Sequence, residues 1–268
     1  MSRQRWLHLR RVAVGLLMWA ALGEAALADF VVSPGPAALR EGNLNSGFPF
    51  NLPFFGLTAM RYQEVYSSGD FASLGGPVYL TQLAFRPDAT NGNAFTAPTF
   101  TNTQISLSTT PKVPDGLSTR FNENLGSNTT LVFSGSLVLS SRFTGPAEGP
   151  KAFDVLINLQ TPFLYDPAQG NLLLELRTLG QTALTSELDA ESVVGDGVSR
   201  LYSTDNNANA TSGFQDTLGL VTRFTASPVP QPSSLVLLGL GTLALLVWHR
   251  RLDIGTHTSV LSSRMPDG

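Results

Sequence analysis

The feature that most constrains the fold is an alternation of apolar and polar residues, with a period of two, in the middle of the chain. Apolar side chains occupy every second position in residues 153–159, and the same spacing returns in residues 171–178. Such alternation is typical of β-strands that bury one face and expose the other. It therefore predicts that Asp154, Glu175 and Arg177 point outward from two strands of a sheet.

Further strands are predicted where short apolar runs are separated by clusters of turn residues. These runs are residues 61–66, 78–86, 103–108, 129–139, 200–203 and 217–225. Residues 182–197 are acidic and mixed, and we predict a loop or a short helix there. Residues 29–53 are rich in Pro, Gly and Asn, and aromatic residues gather near their end at Phe48, Phe50, Phe54 and Phe55. About eight short strands predict an all-β fold, with a single β-sandwich or jelly-roll-like domain over residues 29–228.

The composition of residues 29–228 limits the chemistry that this domain can perform. The chain has three His, three Trp and no Cys, and every His and Trp lies outside this range. Ser-His-Asp and Cys-His catalytic sites are therefore excluded, as is zinc bound by Cys or His. Its 10 basic and 17 acidic side chains give a formal charge of −7, which disfavours nucleic acid as a partner. We predict a non-enzymatic domain with no catalytic residue, no cofactor and no metal.

Paired carboxylates are an enzymatic arrangement that this composition still permits, as in glycoside hydrolysis. One candidate pair is Asp154 with Glu175, on neighbouring predicted strands. A second candidate is the acidic group formed by Glu187, Asp189 and Glu191. The alternative, which we favour, is that these carboxylates are solvated, because charged residues are ordinary on the outer face of a strand.

Residues 205–216 partly match a calcium-binding loop. Positions 1, 3, 5 and 12 of that loop are occupied by Asp205, Asn207, Asn209 and Asp216. Ala210 stands where the loop needs glycine, and no amphipathic helix flanks it, so an EF-hand is disfavoured. A looser calcium site is one alternative. An Asn-rich connection between strands, whose side chains favour turns, is the other.

The first 28 residues have the three parts of a secretory signal peptide. Residues 1–11 carry four arginines and no acid, residues 12–22 are apolar, and small residues Ala26 and Ala28 provide a cleavage site. A first transmembrane anchor is the competing interpretation, but the apolar run is too short for one. We predict cleavage after Ala28 and a mature chain that starts at Asp29.

A second hydrophobic segment follows the predicted domain. Residues 235–248 contain no charged side chain, and Arg250 and Arg251 follow them. As a helix these residues would span about 21 Å, which is short of the roughly 30 Å hydrocarbon core, although snorkelling arginines extend the reach. A buried core helix is the alternative. The basic flank and the stiff Pro-x-Pro spacer before the segment favour a transmembrane helix.

The segment from residue 229 to residue 251 resembles the PEP-CTERM sorting signal, which joins a Pro-Glu-Pro motif, an apolar helix and an Arg-rich end. Its motif residues are Val229, Pro230, Gln231, Pro232, Ser233, Ser234, Arg250 and Arg251. Gln231 stands where the family usually has Glu. Residues 252–268 follow the basic cluster, and their polar composition without periodicity predicts disorder.

This resemblance implies the route that the protein takes. It implies export from a Gram-negative cell through the secretion machinery, with a membrane-anchored precursor held by the C-terminal helix. It also implies cleavage near the motif by an exosortase-like enzyme, followed by sorting to the cell envelope or beyond.

We expect a non-enzymatic protein of the envelope or extracellular matrix that associates with exopolysaccharide. The alternative is a carbohydrate-binding module on a jelly-roll scaffold, with or without calcium, that stacks sugars on aromatic rings. The rings available for such stacking include Tyr62, Tyr66, Tyr79, Tyr165 and Tyr202. The opposing interpretation, which we favour, places these tyrosines at the edge of the core with their hydroxyls in water.

Overall fold

The computed structural model describes residues 29–180, 182–229 and 242. Their strands, numbered in chain order, are β1 Asp29–Ser33, β2 Leu44–Ser46, β3 Ala59–Tyr66, β4 Val78–Phe85, β5 Thr99–Thr110, β6 Thr130–Val138, β7 Val155–Tyr165, β8 Asn171–Leu179, β9 Leu188–Ser192, β10 Val198–Tyr202, β11 Phe214–Asp216, β12 Leu218–Leu220 and β13 Thr222–Pro228. Short 3-10 helices cover Gly35–Ala38, Leu52–Phe55, Ser68–Leu74, Phe121–Glu123 and Pro167–Gln169. The prediction of an all-β fold is confirmed.

The strands form antiparallel sheets of four, six and three strands. The four-stranded sheet has the order β1-β13-β4-β7, and the six-stranded sheet has the order β11-β10-β3-β8-β5-β6. The three-stranded sheet has the order β12-β9-β2. Strands β7 and β8 follow each other in the sequence but belong to different sheets, so the chain crosses from one sheet to the other between them.

One hydrophobic core joins the two larger sheets. Leu83 and Phe85 of β4 and Phe224 of β13 belong to the same buried cluster as Ile105 of β5 and Leu176 of β8. This shared core explains the alternation in the sequence, because each sheet turns every second side chain towards it. The described residues from 29 to 229 fall within one compact unit.

Part of the outer face of the six-stranded sheet, over β3 and β8, is also covered, which the alternation does not predict. Val65 of β3 and Leu173 of β8 form a second buried cluster with Leu117 and Phe121, which lie between β5 and β6. Every residue of β3 is therefore buried. Glu175 lies on this covered face and is 5% exposed, so the prediction that it is solvated is wrong.

The structure also corrects the prediction for residues 182–197, which do not form only a loop or a short helix. They contain β9, the central strand of the three-stranded sheet. Acidic residues are uncommon in strands, and β9 carries two of them. Its Asp189 pairs with Arg86 and its Glu191 pairs with Arg40, so tertiary contacts override the local preference.

Residues 111–129, between β5 and β6, form the segment that covers the sheet, and we call them the covering segment. A close backbone approach at Gly126 holds the covering segment against β5. A Cβ atom at this position would lie 1.7 Å from the carbonyl oxygen of Thr109. The Gly126 amide also donates to the Ser108 hydroxyl at 3.2 Å. Alanine at this position would therefore push the covering segment away from the sheet.

We expect Gly126→Ala to lower the free energy of unfolding by about 1–3 kcal/mol, the usual cost of overpacking. Gly76→Ala is the matched control, because a Cβ atom there meets no heavy atom within 4 Å. Urea unfolding of both variants measures the difference. Equal stability of the two variants would show that the backbone at Gly126 yields without cost.

Candidate functional site

A cleft lined by aromatic side chains lies beside the edge of the six-stranded sheet. Its volume is about 780 Å³. The aromatic cleft, as we name it, is lined by Phe48, Phe54, Phe55, Glu187, Arg200 and Tyr202, together with polar Asn45, Asn91 and Thr204. Arg200 and Tyr202 come from β10, whereas the three phenylalanines come from the connection between β2 and β3. A concave site of this size is typical of ligand-binding pockets.

The connection between β2 and β3 is prevented from forming a strand by its own sequence. Pro49 and Pro53 cannot donate backbone hydrogen bonds to a sheet. A 3-10 helix, Leu52–Phe55, ends at Gly56, whose φ of 71° is left-handed and therefore suits glycine. Phe50 anchors the segment, since it is fully buried and contacts core rings.

The aromatic rings form a continuous series across the cleft. Ring centroids are 5.1 Å apart for Phe54 and Phe55, 4.5 Å for Phe55 and Phe48, and 5.2 Å for Phe48 and Tyr202. Phe214 of β11 extends the series beyond Tyr202 at 6.3 Å. The outermost rings are well exposed, at 76% for Phe54 and 62% for Phe214. Single apolar residues are ordinary on a protein surface, whereas a contiguous exposed apolar patch is typical of an interaction site.

Arg200 lies beneath these rings with its charge already satisfied. Its Nε and Nη2 donate to the two carboxylate oxygens of Asp216 at 2.8 and 3.0 Å, and its Nη1 donates to the Ser46 hydroxyl at 2.9 Å. The guanidinium carbon is 4.8 Å from the centroid of the Tyr202 ring. The guanidinium packs against the Tyr202 ring. Its pairing with Asp216 leaves little uncompensated positive charge in the cleft.

The tyrosines proposed for sugar stacking are mostly in the core. Tyr62, Tyr66 and Tyr165 are fully buried, and their hydroxyls bond to Glu64, Thr222 and the Gly170 carbonyl. The favoured interpretation, which placed these hydroxyls in water, is therefore wrong for Tyr62, Tyr66 and Tyr165. Tyr79 and Tyr202 are partly exposed, and Tyr202 lies in the aromatic cleft.

The structure does not bring the predicted carboxylate pair together. Asp154 precedes β7 of the four-stranded sheet, where it accepts from the Ser141 hydroxyl at 2.7 Å and the Arg142 amide at 2.8 Å. Glu175 belongs to β8 of the six-stranded sheet, where Arg61 donates to it. Strands β7 and β8 are consecutive in the sequence but belong to different sheets, and the two carboxylates have different partners.

Two of the three carboxylates in the second acidic group are buried rather than solvated. Asp189 and Glu191 are 1% and 2% exposed, and arginines satisfy both. Glu187 is half-buried and lines the aromatic cleft, where Asn51 donates to it at 3.3 Å. The prediction that these three carboxylates are solvated is therefore wrong for Asp189 and Glu191.

Carboxylate oxygens of Glu41, Asp88 and Asp189 lie within 4.8 Å of one another. Each carboxylate already accepts a hydrogen bond from a backbone amide, that of Ala89, Asn91 and Gly42 respectively. Arg86 donates to Asp189 from its Nε at 2.7 Å and counters part of the negative charge. Burial, followed by the neighbouring Glu41, raises the pKa of Asp189 to about 7. The cluster therefore connects three chain segments, those around Glu41, Asp88 and Asp189, through hydrogen bonds.

The calcium-loop residues make other contacts. The side-chain oxygen of Asn209 accepts from Arg177 at 2.8 Å, and the backbone amide of Asn209 donates to the side-chain oxygen of Asn207. Asp216 is the partner of Arg200. A calcium ion bound by these oxygens would have to displace two arginine contacts, which favours the interpretation of residues 205–216 as a connection between strands.

The predicted targeting residues fall mainly outside the described part of the chain. Ala26, Ala28 and the motif from Pro230 to Ser234 lie outside it, as do Arg250 and Arg251. Within the predicted apolar helix the structure describes Thr242, which is helical. Among the described residues, no helix has the length and apolar character needed to span a membrane.

The phenylalanines of the cleft are close together in the sequence, but the alternation of apolar and polar residues does not predict that they line a site. The useful signal is the adjacent pair Phe54-Phe55, preceded by Pro53 and followed by Gly56. Two neighbouring aromatic residues on a turn cannot both follow the alternation that buries strand residues. The structure shows that both rings of this pair are exposed.

Comparison with protein families finds the PEP-CTERM protein-sorting motif at residues 228–251, which confirms the resemblance seen in the sequence. Comparison with curated proteins and with solved structures finds no match. The motif implies an exported protein that is first a membrane-anchored precursor and is processed by an exosortase. The chain is therefore consistent with a PEP-CTERM sorting domain-containing protein.

Proposed function

We propose that this chain is a non-enzymatic protein of the cell envelope or extracellular matrix that associates with exopolysaccharide. The observation that carries the proposal is the sorting motif at residues 228–251, which directly follows an all-β domain. We further propose that this domain is a β-sandwich, because its two larger sheets contribute to one core. A rigid sandwich presents loops and sheet edges to partners, as many extracellular domains do.

The contacts of the carboxylates support a role without catalysis. A general acid or base must be free to exchange a proton with a substrate. Asp189 and Glu175 instead form buried pairs with Arg86 and Arg61. Asp154 holds the Ser141 hydroxyl and a backbone amide, which is a structural use of its oxygens.

Cell fractionation combined with co-sedimentation tests the proposed function. We expect the protein in the envelope or medium, and we expect it to sediment with exopolysaccharide extracted from the producing cells. Full-length protein confined to the cytoplasm would contradict the proposal. So would exported protein that stays in the supernatant at every polysaccharide concentration.

A carbohydrate-binding module is the second candidate function, and the aromatic cleft is the observation that favours it. Aromatic rings and polar groups together line a concave site there, as expected for a ligand with both apolar and hydroxylated faces. The two candidate functions are compatible, because a matrix protein can be retained by such a module.

The sorting motif gives a prediction about processing. Gln231 lacks the carboxylate usual at this position, so a recognising enzyme loses one charge-assisted hydrogen bond, a loss of about 1.5–3 kcal/mol. We therefore expect Gln231→Glu to increase the fraction of exported chains that end near residues 229–232. Intact-mass measurement of the exported protein gives this fraction directly.

The matched control is Gln215→Glu, which adds the same charge at an exposed position of β11. It should leave the processed fraction unchanged. An equal processed fraction in wild type and Gln231→Glu would mean that the charge is not recognised. Exported chains that all retain residues 232–268 would refute cleavage at the motif.

A further inference from the structure

We infer that the aromatic cleft binds a neutral polysaccharide chain, with Phe54, Phe55 and Tyr202 as stacking surfaces. This inference rests on the proposed function and states which side chains contact the polysaccharide. The cleft differs from the site that the sequence suggested, since it uses phenylalanines from the connection between β2 and β3.

The rings of the cleft match one face of a sugar. A pyranose ring presents C–H groups on its faces, and these pack on aromatic rings. Phe54 and Phe55 are 76% and 47% exposed, although burying them would stabilise the fold. Their exposure on a turn that Phe50 and Gly56 hold in place shows that the rings are positioned before any ligand arrives, which lowers the entropic cost of binding.

The polar groups of the cleft match the hydroxyls at the sugar's edge. Asn45, Asn91 and Thr204 supply donors and acceptors among the rings. Glu187 adds a carboxylate that Asn51 holds in position. A purely apolar partner would leave these groups without hydrogen bonds, which is costly on desolvation. The lining therefore fits a hydroxylated ligand better than an apolar one.

The electrostatics of the cleft favour a neutral chain over an acidic one. The guanidinium of Arg200 is committed to Asp216 and Ser46, and Glu187 adds negative charge to the lining. The domain as a whole carries a formal charge of −7 from 10 basic and 17 acidic residues. A polyuronate or phosphorylated polysaccharide would therefore be repelled during its approach.

Affinity electrophoresis of the exported protein tests the inference. The probes are the neutral and the acidic polysaccharide fractions of the producing cells, separated by anion exchange. We expect the neutral fraction to retard the wild type, and we expect the double variant Phe54→Ala/Phe55→Ala to bind it at least about tenfold more weakly. Both truncated rings are exposed, so the variant should fold, and a circular dichroism melt checks this.

Phe30→Ala is the matched control, because Phe30 is a phenylalanine of β1, 55% exposed and outside the cleft. It should bind like the wild type. If the double variant binds the neutral fraction as tightly as the wild type, the assignment to the cleft is overturned while the proposed function stands. If the wild type binds neither fraction, the proposed function itself fails.

Two further outcomes would overturn the inference in favour of another ligand. Retardation by the acidic fraction alone would show that charge, rather than ring stacking, governs binding. A concentration-dependent dimer of the wild type that the double variant lacks, without retardation by polysaccharide, would identify the cleft as a contact between copies of the chain. Sedimentation velocity on the same samples detects that dimer.

Discussion

Replacing Glu175 with alanine should destabilise the protein by about 3–5 kcal/mol, a large part of the stability of an ordinary domain. The Glu175 carboxylate accepts from Arg61 Nε at 2.9 Å and Nη2 at 2.7 Å, from Gln63 at 2.7 Å and from Arg177 at 2.9 Å. Arg61 is 3% exposed. Its positive charge would therefore remain buried without a carboxylate to balance it.

The position of this pair explains why its loss is costly. Phe121 covers the Arg61 guanidinium, with the ring centroid 4.8 Å away, and Asn122 and the Ala210 carbonyl accept from the same group. Water cannot replace the lost carboxylate unless the covering segment opens. The expected damage is therefore to the segment between β5 and β6 and to its packing on the sheet.

Urea unfolding measures the effect, and Glu123→Ala is the matched control. Glu123 also faces an arginine, Arg120, but the atoms are 3.9 Å apart and both side chains are more than half exposed, so its loss should cost about 1 kcal/mol or less. The double variant Arg61→Met/Glu175→Leu should recover part of the stability, because it removes both charges. Equal losses for Glu175→Ala and Glu123→Ala would show that the buried pair adds nothing.

The sequence predicted the strands of the core well because alternation is a local signal. Strands β3, β4, β7 and β8 lie where short apolar runs placed them, although β7 continues to Tyr165, beyond the predicted residue 159. Strand β9 was missed, because its acidic residues resemble those of a loop. What decides its conformation is pairing with Arg86 and Arg40, which are about 100 or more residues away in the chain.

The alternation of apolar and polar residues does not reveal whether another segment of the chain covers the outer face of a sheet. The clue in β8 is Leu173, an apolar residue between Leu172 and Leu174 that breaks the period of two. It packs beneath the covering segment in the second cluster. The aromatic cleft was missed for a related reason, since its rings come from the connection between β2 and β3 and from β10. Their proximity depends on the tertiary fold alone.

Glu64 should make the protein less stable as pH rises, and this is the second large effect that the structure predicts. Glu64 lies on β3 between Tyr62 and Tyr66, on the strand face that turns towards the core. It is fully buried and accepts a hydrogen bond from the Tyr62 hydroxyl. Burial raises the pKa of Glu64 to about 8, because a carboxylate is poorly solvated in the core.

The sign of the effect follows from proton binding. Between an unfolded pKa of 4.5 and a folded pKa of about 8, the folded protein holds a proton on Glu64 that the unfolded chain has released. Stability from this group is therefore complete below pH 4.5 and falls as pH rises, by about 1.4 kcal/mol per pH unit, until the folded carboxyl ionises near pH 8.

Glu64→Gln isolates this effect, because the amide stays neutral and its oxygen can accept from Tyr62. We expect the variant to gain stability relative to the wild type by about 3–4 kcal/mol between pH 5 and pH 8. Urea unfolding at several pH values gives this difference, in which other titrating groups such as Asp189 cancel because both proteins contain them. A difference that stays constant from pH 5 to pH 8 would place the Glu64 carboxylate in ionised form, and the core would then have to solvate a charge beside Tyr62.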